Sequence, residues 1–339
     1  MTLGTSPKDF NPNSLPFNDP EQIRKVAIVT GGNSGIGYYT VLHLFTHGWD
    51  VYLAARNPNK AAEAISKIKV EAESRKGELP ARAVFGKIYF VQLDLSSLEK
   101  TKKGIAEFLS KESQLDLLVN NAGTLVLPIE LNEDNLDVQI QTNHVGPVYL
   151  TISLLPLLLK SKCGPRVVFV SSLGHYFTDG PKDLGRVYKY APGILSAWLR
   201  YSNSKLANIH ATRALEKRYP SILWLAVHPG ICTQTNINTF WTGLPIVGPI
   251  IGFFFNSLQN VVGISNEEGA YNSLFASLSP DLTFEENGAY FNPVGFETQT
   301  SKIASDPERI QYTWDWTIEN IVNSGYLSLE EANKLGVSM

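Results

Sequence analysis

Short apolar runs alternate along the chain with longer segments of helical composition. The runs are rich in β-branched residues and end at small or polar residues, which is typical of buried strands. They cover Lys25–Thr30, Asp50–Ala55, Ile88–Leu93, Leu115–Asn120, Arg166–Ser171 and Ile222–His228. A helix is predicted to begin near Ser34, and others over Asn57–Lys76, Ser97–Lys111, Glu133–Lys160 and Tyr201–Arg218. This alternation predicts a single doubly wound, Rossmann-type α/β domain whose parallel sheet is flanked by helices.

The α/β rhythm extends over residues 23–295 without a Ser/Gly-rich linker, an internal repeat or a low-complexity tract. Residues 1–22 form a polar extension that lacks the basic start and apolar middle of a signal peptide. Residues 296–339 predict a C-terminal helical extension with one helix over Pro307–Val322. We interpret its two tryptophans, Trp314 and Trp316, as packing residues.

Composition narrows the range of functions. The formal net charge is −3 and no run of Lys and Arg occurs, so we expect no nucleic-acid partner. The two cysteines, Cys163 and Cys232, lie in different segments and form neither a disulfide framework nor a metal-ligand spacing. We therefore expect a reducing compartment and no metal site.

An uncharged segment, residues 239–265, stands apart from the rest of the chain. Its centre, Leu244–Phe255, is almost wholly apolar, but it is too short to span a bilayer, and its prolines and glycines disfavour a straight helix. Two interpretations stay open. The segment is either a lid over a lipophilic substrate, or a lid whose outer face also contacts a membrane or lipid monolayer.

A glycine-rich turn, TGGNSGIG, follows the first strand and opens the first helix. Free backbone N–H groups and the helix dipole at such a place bind the pyrophosphate of a dinucleotide, and glycines let the backbone approach it. The spacing is Gly-x-x-x-Gly-x-Gly, which differs from the usual Rossmann fingerprint. The expected cofactor contacts are Gly31, Asn33, Ser34, Gly35, Ile36 and Gly37.

The end of the second strand indicates which nicotinamide cofactor is bound. An acidic residue there binds the ribose hydroxyls of NAD, whereas an arginine pairs with the 2′-phosphate of NADP. Arg56 follows the strand, and the next acidic residue is Glu63, so the sequence favours NADP(H). After the third strand, Asp94 either contacts the adenine amino group or caps the next helix, for which Ser96 is as good a candidate.

Tyr201 and Lys205 are four residues apart in a predicted helix and therefore share one face. A phenol is a good acid toward the alkoxide that develops when a carbonyl is reduced, and a nearby ammonium together with a positive nicotinamide lowers its pKa. The histidines His144 and His175 are interpreted as packing or surface residues.

Asn143 precedes Pro147 by four residues in another predicted helix. Proline has no N–H to donate to the Asn143 carbonyl, and its ring pushes that carbonyl outward. We therefore predict a helix irregularity here, with the Asn143 carbonyl free to hold a water near Lys205.

In their order along residues 24–292, TGGNSGIG, DL after the third strand, NNAG, a serine pair, YxxxK and HPG resemble the short-chain dehydrogenase/reductase family. The resemblance implies that Tyr201 donates the proton, Lys205 binds the nicotinamide ribose, and Asn143 completes the set through a water. Ser172 would bind the substrate carbonyl oxygen, with Ser171 as its competitor. The implied cofactor contacts also include Asp94, Leu95, Asn121, Ala122, Gly123, Tyr201, Lys205, Pro229, Gly230, Ile231 and Thr233.

The segment Leu173–Arg200 is longer than in many members, as it is in retinol-dehydrogenase-like ones. QTNHVGP, FWTGLPIVG and GISNEEGA resemble fungal members associated with lipid droplets and vacuole morphology. This implies an NADP(H)-dependent alcohol dehydrogenase or carbonyl reductase with a small lipophilic substrate, located at a lipid droplet or on the cytosolic face of a membrane. Family members also pair through the helices that carry Asn143 and Tyr201, so a homodimer is expected.

Two functions of other classes compete with the enzyme. One is a non-catalytic sensor that binds NADP(H), and the other is an interaction protein of lipid droplets. The complete set of Tyr201, Lys205, Ser172 and Asn143 favours the enzyme, because a sensor does not need groups for proton transfer.

Overall fold

A computed structural model describes residues 4–125, 128–178, 180, 184, 193–232 and 263–338 of the chain. Its sheet has the strand order β3-β2-β1-β4-β5-β6-β7-β8, and every neighbouring pair is parallel except β7 and β8. The strands are β1 Val26–Thr30, β2 Asp50–Ala55, β3 Ile88–Gln92, β4 Leu117–Asn120, β5 Arg166–Val170, β6 Leu223–Val227, β7 Tyr290–Asn292 and β8 Phe296–Glu297. The six strands predicted from sequence are thus confirmed, and so is the single Rossmann-type domain.

Helices cover both faces of the sheet. They are α1 Gly35–Thr46, α2 Pro58–Ser74, α3 Leu98–Lys111, α4 Val138–Ile140, α5 Gly146–Leu158, α6 Gly193–Arg218, α7 Asn266–Leu278, α8 Lys302–Ser305, α9 Pro307–Asn323 and α10 Leu329–Lys334. A π-helical turn over Gln141–Val145 joins α4 to α5. In β1, Ala27 and Val29 pack toward α1, α2 and α7, while Val26 and Ile28 pack toward α3, α5 and α6. Burial on both faces explains why the strands have continuous apolar sequences.

Two predicted helices have wrong starts. The helix expected from Glu133 begins at Val138, because Asn132 accepts hydrogen bonds from the N–H groups of Asp134 and Leu136 and holds a turn there. The helix expected from Tyr201 begins eight residues earlier, at Gly193. Its added turns are held by hydrogen bonds from Gln139 to the Ala197 carbonyl and from Arg200 to Asp137. A local sequence pattern does not reveal such long-range contacts.

The terminal extensions pack on the same core as the sheet. In the N-terminal extension Leu15 is buried, and the backbones of Thr5 and Val294 exchange two hydrogen bonds. In the C-terminal extension α9 packs against α6, and Trp314 is buried while Trp316 is partly buried against the core. The packing role predicted for these tryptophans is confirmed.

The uncharged segment 239–265 lies outside the described residues, except for its last three positions. Among the helices that the structure does describe, none combines the length and the apolar character needed to cross a bilayer.

Candidate active site

The strand order reverses between β1 and β4, and the carboxyl ends of both strands meet at one edge of the sheet. In open parallel sheets, ligands bind in the crevice outside such a reversal. The glycine turn after β1, the NNAG segment after β4, the serine pair after β5 and the HPG turn after β6 all lie at this edge. The candidate site is built from these four connections.

The turn after β1 packs tightly against the start of α1. A Cβ on Gly37 would lie 2.3 Å from the carbonyl oxygen of Gly31, so only glycine fits where the helix approaches the turn. Ser34 occupies the N-cap position of α1, yet its side chain makes no capping bond. The first-turn N–H groups of α1 are therefore not satisfied by their own cap, which suits an anion. The predicted contact residues of this turn, Gly31 to Gly37, surround that helix start.

NNAG is bonded directly to the end of β1. The Asn121 side-chain nitrogen donates to the Thr30 carbonyl at 2.8 Å, and the Ala122 N–H donates to the Thr30 hydroxyl at 2.9 Å. Neighbouring Asn120 is bonded to Thr151 on α5 at 3.0 Å. Sequence reasoning missed Thr30, although its place at the start of TGGNSGIG was a usable signal.

Arg56 follows β2 directly and its side chain is exposed. No ion pair between described residues engages its guanidinium, which leaves the group available to an anionic ligand. An exposed arginine at this edge can pair with an anionic group such as a phosphate.

The connection after β3 corrects one expectation. Ser97, and not Asp94 or Ser96, is the N-cap of α3, since its hydroxyl accepts the Lys100 N–H at 3.3 Å. Asp94 instead accepts the Ser96 N–H at 3.0 Å in a local turn. Leu95 turns its side chain into the core. The contact of Asp94 with adenine stays a prediction.

Ser172 and Tyr201 are brought together, and Ser171 is directed elsewhere. The Ser172 hydroxyl lies beside the Tyr201 ring, close enough to lower the pKa of the phenol. The Ser171 hydroxyl donates to the backbone carbonyl of Lys205 at 2.7 Å and is buried. Of the two serines, Ser172 is therefore the one with its hydroxyl at the phenol.

Lys205 lies one helical turn beyond Tyr201. Its ammonium donates to the carbonyl of Val170, at the end of β5, at 2.8 Å and lies 5.6 Å from the centre of the Tyr201 ring. A Cβ on Gly123 would lie 3.3 Å from this ammonium and 3.4 Å from the Asn143 side-chain oxygen. Glycine at this position keeps a side chain out of the space between the two groups.

Asn143 lies within the π-helical turn, which confirms the irregularity predicted before Pro147. There the Gly146 N–H donates to the Gln141 carbonyl, five residues back instead of four. The Asn143 side chain is buried and fully engaged. It accepts the Thr124 N–H at 2.7 Å and donates to the Thr124 carbonyl at 2.8 Å and to the Ser204 hydroxyl at 3.0 Å. Thr124 and Ser204 are further site residues that sequence reasoning missed, although both adjoin its motifs.

Burial shifts both titratable groups of the site toward their neutral forms. It raises the pKa of Tyr201 to about 12, and the bond from Ser172 offsets only part of this rise. It lowers the pKa of Lys205 to about 8. In the protein alone, burial therefore outweighs the groups that lower the phenol pKa, and the predicted effect of the ammonium together with a positive nicotinamide stays a prediction.

The HPG turn after β6 completes the edge. The Asn272 side chain of α7 donates to the carbonyls of His228 and Phe291 at 2.7 and 2.8 Å, which fixes the start of the turn. Pro229 and Gly230 are partly buried and Ile231 is exposed beside them. Thr233, a predicted cofactor contact, lies outside the described residues.

The remaining histidines of interest have structural roles, as predicted. His144 is buried between Asn208 and Thr317, at 3.1 and 2.8 Å, and burial lowers its pKa to about 4. His175 is buried and bonded to the Ser172 carbonyl at 2.8 Å. Among the described residues, no group of three His, Cys, Asp or Glu side chains could hold a metal ion.

Known proteins are similar to this chain in sequence and in fold. The profile described as short chain dehydrogenase matches residues 25–178. The short-chain dehydrogenase/reductase drtF of Aspergillus calidoustus is 36% identical over 329 residues, which is 91% of this chain and 97% of the relative. An oxidoreductase of Schizosaccharomyces pombe is 34% identical over 295 residues, or 82% and 80% of the two chains. A solved structure from Mycobacterium paratuberculosis, 27% identical, has a TM-score of 0.67 and covers 94% of this chain and 97% of its own.

The profile match contains the glycine turn, NNAG and the serine pair. The similarity to the Aspergillus protein continues over nearly the full length of both chains. Together with the sheet order and the residues gathered at its edge, these matches establish the family. The chain belongs to the short-chain dehydrogenase/reductase family of oxidoreductases.

Proposed function

We propose that the protein is an NADP(H)-dependent alcohol dehydrogenase or carbonyl reductase that interconverts a lipophilic alcohol and its ketone or aldehyde. The observation that carries this proposal is the placement of the Ser172 hydroxyl and the buried Lys205 ammonium beside the Tyr201 ring. In this buried site Tyr201 would be the proton donor, Ser172 the hydrogen-bond donor to the substrate oxygen and Lys205 the positive charge.

A bound nicotinamide supplies the hydride in reduction and accepts it in oxidation. The Ser172 hydroxyl donates a hydrogen bond to the substrate oxygen, and the Tyr201 O–H transfers its proton to that oxygen as negative charge develops there. The resulting phenolate is stabilised by the Lys205 ammonium. In the reverse direction, the phenolate takes the proton from the alcohol. A phenol pKa of about 12 keeps Tyr201 protonated at neutral pH, which favours reduction.

Lys205 has a second proposed role, in which its ammonium binds the nicotinamide ribose. Glycine at position 123 adds no side chain beside this ammonium, which suits the approach of a flat ring. The first turn of α1 would hold the pyrophosphate, and the exposed Arg56 would pair with the 2′-phosphate of NADP(H). The backbone carbonyl of Asn143 would hold a water that connects Lys205 to solvent.

The surroundings of Tyr201 favour an apolar substrate. Leu125 and Ala197 pack with Tyr201 in one apolar cluster, and the Trp198 ring meets the phenol edge-on at 6.0 Å between centroids. Ile231 is exposed at the same edge of the sheet. An entrance lined in this way accepts a hydrophobic body more readily than a charged sugar acid.

The resemblance to retinol-dehydrogenase-like and fungal lipid-droplet members supports a location at a lipid droplet or on the cytosolic face of a membrane. In this proposal, residues 239–265 form a lid over the substrate whose outer face contacts lipid. Deletion of Leu244–Phe255 followed by cell fractionation tests the attachment. Homodimer formation is proposed on the same resemblance, and sedimentation measures it directly.

An NADPH-oxidation screen tests the enzyme. The panel holds retinal, steroid ketones, aliphatic aldehydes and aromatic ketones, each repeated with NADH. Tyr201→Phe should abolish turnover and leave NADPH affinity largely unchanged, because the phenol hydroxyl acts on the substrate. Tyr219→Phe, at the far end of α6, is the matched control and should retain activity. If the wild-type protein binds NADPH and reduces no carbonyl in the panel, the sensor function replaces this proposal.

A further inference from the structure

One face of α6 is joined by hydrogen bonds to the segment that carries Asn143. Successive positions on this face are three or four residues apart and so lie one above the other along the helix. The four bonds are Gln139 to the Ala197 carbonyl at 3.0 Å, Arg200 to Asp137 at 2.6 Å, Asn143 to Ser204 at 3.0 Å, and His144 with Asn208 at 3.1 Å. The proposed proton donor, Tyr201, lies on the same helix between the second and third of these bonds.

Asp137 and Arg200 form the ion pair of this set, and both side chains are only 4% exposed. The other Asp137 oxygen accepts the N–H groups of Gln139 and Ile140, so the same carboxylate also caps α4. An ion pair removed from water in this way gains little net stability over well-packed apolar residues of the same size. Stability alone therefore does not account for a buried ion pair next to Tyr201.

The pair connects the two elements that the proposed chemistry needs in fixed register. Arg200 directly precedes Tyr201, and Asp137 lies at the start of the helical segment that reaches Asn143. The π-helical turn in that segment is an irregular element, whose register relative to α6 is not set by α-helical geometry. A directional, charge-assisted bond at its start supplies that register.

We propose that Asp137 and Arg200 are positioning residues, which hold the Tyr201 turn of α6 in place against the segment carrying Asn143. This inference rests on the proposed function, since it assigns the pair an effect on proton transfer by Tyr201. The pair acts through the placement of Tyr201 and touches neither substrate nor cofactor. Small displacements of a reacting group cost large factors in rate.

The variants separate the effect of the Asp137–Arg200 ion pair from the effect of the α4 cap and from that of an unpaired buried charge. Asp137→Asn keeps an oxygen that accepts the N–H groups of Gln139 and Ile140, so α4 stays capped. Alone, it leaves the Arg200 charge buried without its carboxylate and destabilises the fold. The double variant Asp137→Asn/Arg200→Met removes both charges and keeps the apolar stem, and it is the informative protein. Glu330→Gln/Lys334→Met is the matched control, because it replaces the acid of an exposed pair by its amide and the base by methionine in the same way.

We expect the double variant to have a Tm near that of the wild type, a kcat lower by at least about tenfold and an NADPH Kd within about twofold. Its backbone amides over residues 197–204 should exchange hydrogen faster, and the Glu330/Lys334 control should match the wild type in every measurement. A double variant with wild-type kcat overturns the proposal.

The hydrogen-exchange measurement tests the positioning contact even if the proposed function is wrong. If the wild-type protein shows no turnover on the panel, faster exchange over residues 197–204 in the double variant still supports the positioning contact. Unchanged exchange in that protein then overturns it.

Discussion

The hydroxyl of Ser172 lies beside the ring of Tyr201, while the adjacent Ser171 hydroxyl donates a hydrogen bond to the backbone carbonyl of Lys205. Two consecutive serines at the end of β5 thus face different partners, as expected for neighbouring residues of an extended segment. The hydroxyl of Ser172 thus belongs to the candidate reaction site, whereas the hydroxyl of Ser171 attaches α6 to the end of β5.

The two serines should therefore respond differently to substitution. Ser172→Ala should lower kcat/KM by about a hundredfold or more, because it removes a donor to the substrate oxygen. Ser171→Ala should instead reduce the free energy of unfolding by about 1 kcal/mol through the loss of a buried hydrogen bond. Steady-state kinetics and urea denaturation measure these effects. Equal losses of activity in both variants would contradict this assignment.

Arg56 should determine the preference for the phosphorylated cofactor. Arg56→Ala removes the proposed partner of the 2′-phosphate and should raise the KM for NADPH by about tenfold or more, with little change for NADH. Arg82→Ala is the control, since it removes another exposed arginine after β2. A wild-type protein that already prefers NADH strongly would refute the role of Arg56.

The pH dependence of reduction should report Lys205. Its pKa is lowered to about 8, so its ammonium is present below that pH and is lost above it. Tyr201, with a pKa of about 12, stays protonated across the whole range. The kcat/KM for NADPH in carbonyl reduction, which reports the enzyme free of cofactor, should thus fall as the pH rises through about 8. An increase in kcat/KM through this range would show that the ammonium is not required.

A side chain at position 123 should disturb the site. The added methyl group of Gly123→Ala would lie 3.3 Å from the Lys205 ammonium and 3.4 Å from the Asn143 side chain, in tight contact with both. We expect about a tenfold loss of kcat with a Tm near that of the wild type, because the effect is local. Gly77→Ala, where nothing lies within 4 Å of the added atom, should leave kcat unchanged. Full activity in Gly123→Ala would show that the Lys205 and Asn143 side chains can move to accommodate the methyl group.

Six of the eight strands that the structure describes could be predicted to within about two residues, because parallel strands in the interior of a sheet are continuous apolar runs. The two short strands β7 and β8 were not predicted, since neither is a long apolar run. The irregularity before Pro147 was also predictable, since it follows from the missing N–H of one residue. Both features depend on local sequence alone.

Features that depend on distant partners could not be predicted. The early start of α6 is accompanied by two distant hydrogen bonds: Gln139 donates to the Ala197 carbonyl, and Arg200 donates to Asp137, which is 63 positions away. Three capping side chains occur in the DLSS sequence at Asp94–Ser97, and the choice of Ser97 depends on how the chain leaves β3. The pKa of Tyr201 followed burial, which periodicity does not quantify.

The packing of α9 and α10 affects the order in which the domain can form. Val26 and Ile28 of β1 belong to the same core cluster as Trp314, Ile318 and Val337. On the ribosome, β1 is made long before the residues that cover this side of the sheet. The nascent protein therefore carries an incompletely covered apolar surface until synthesis has passed residue 337, and this half of the core closes only after translation of that part.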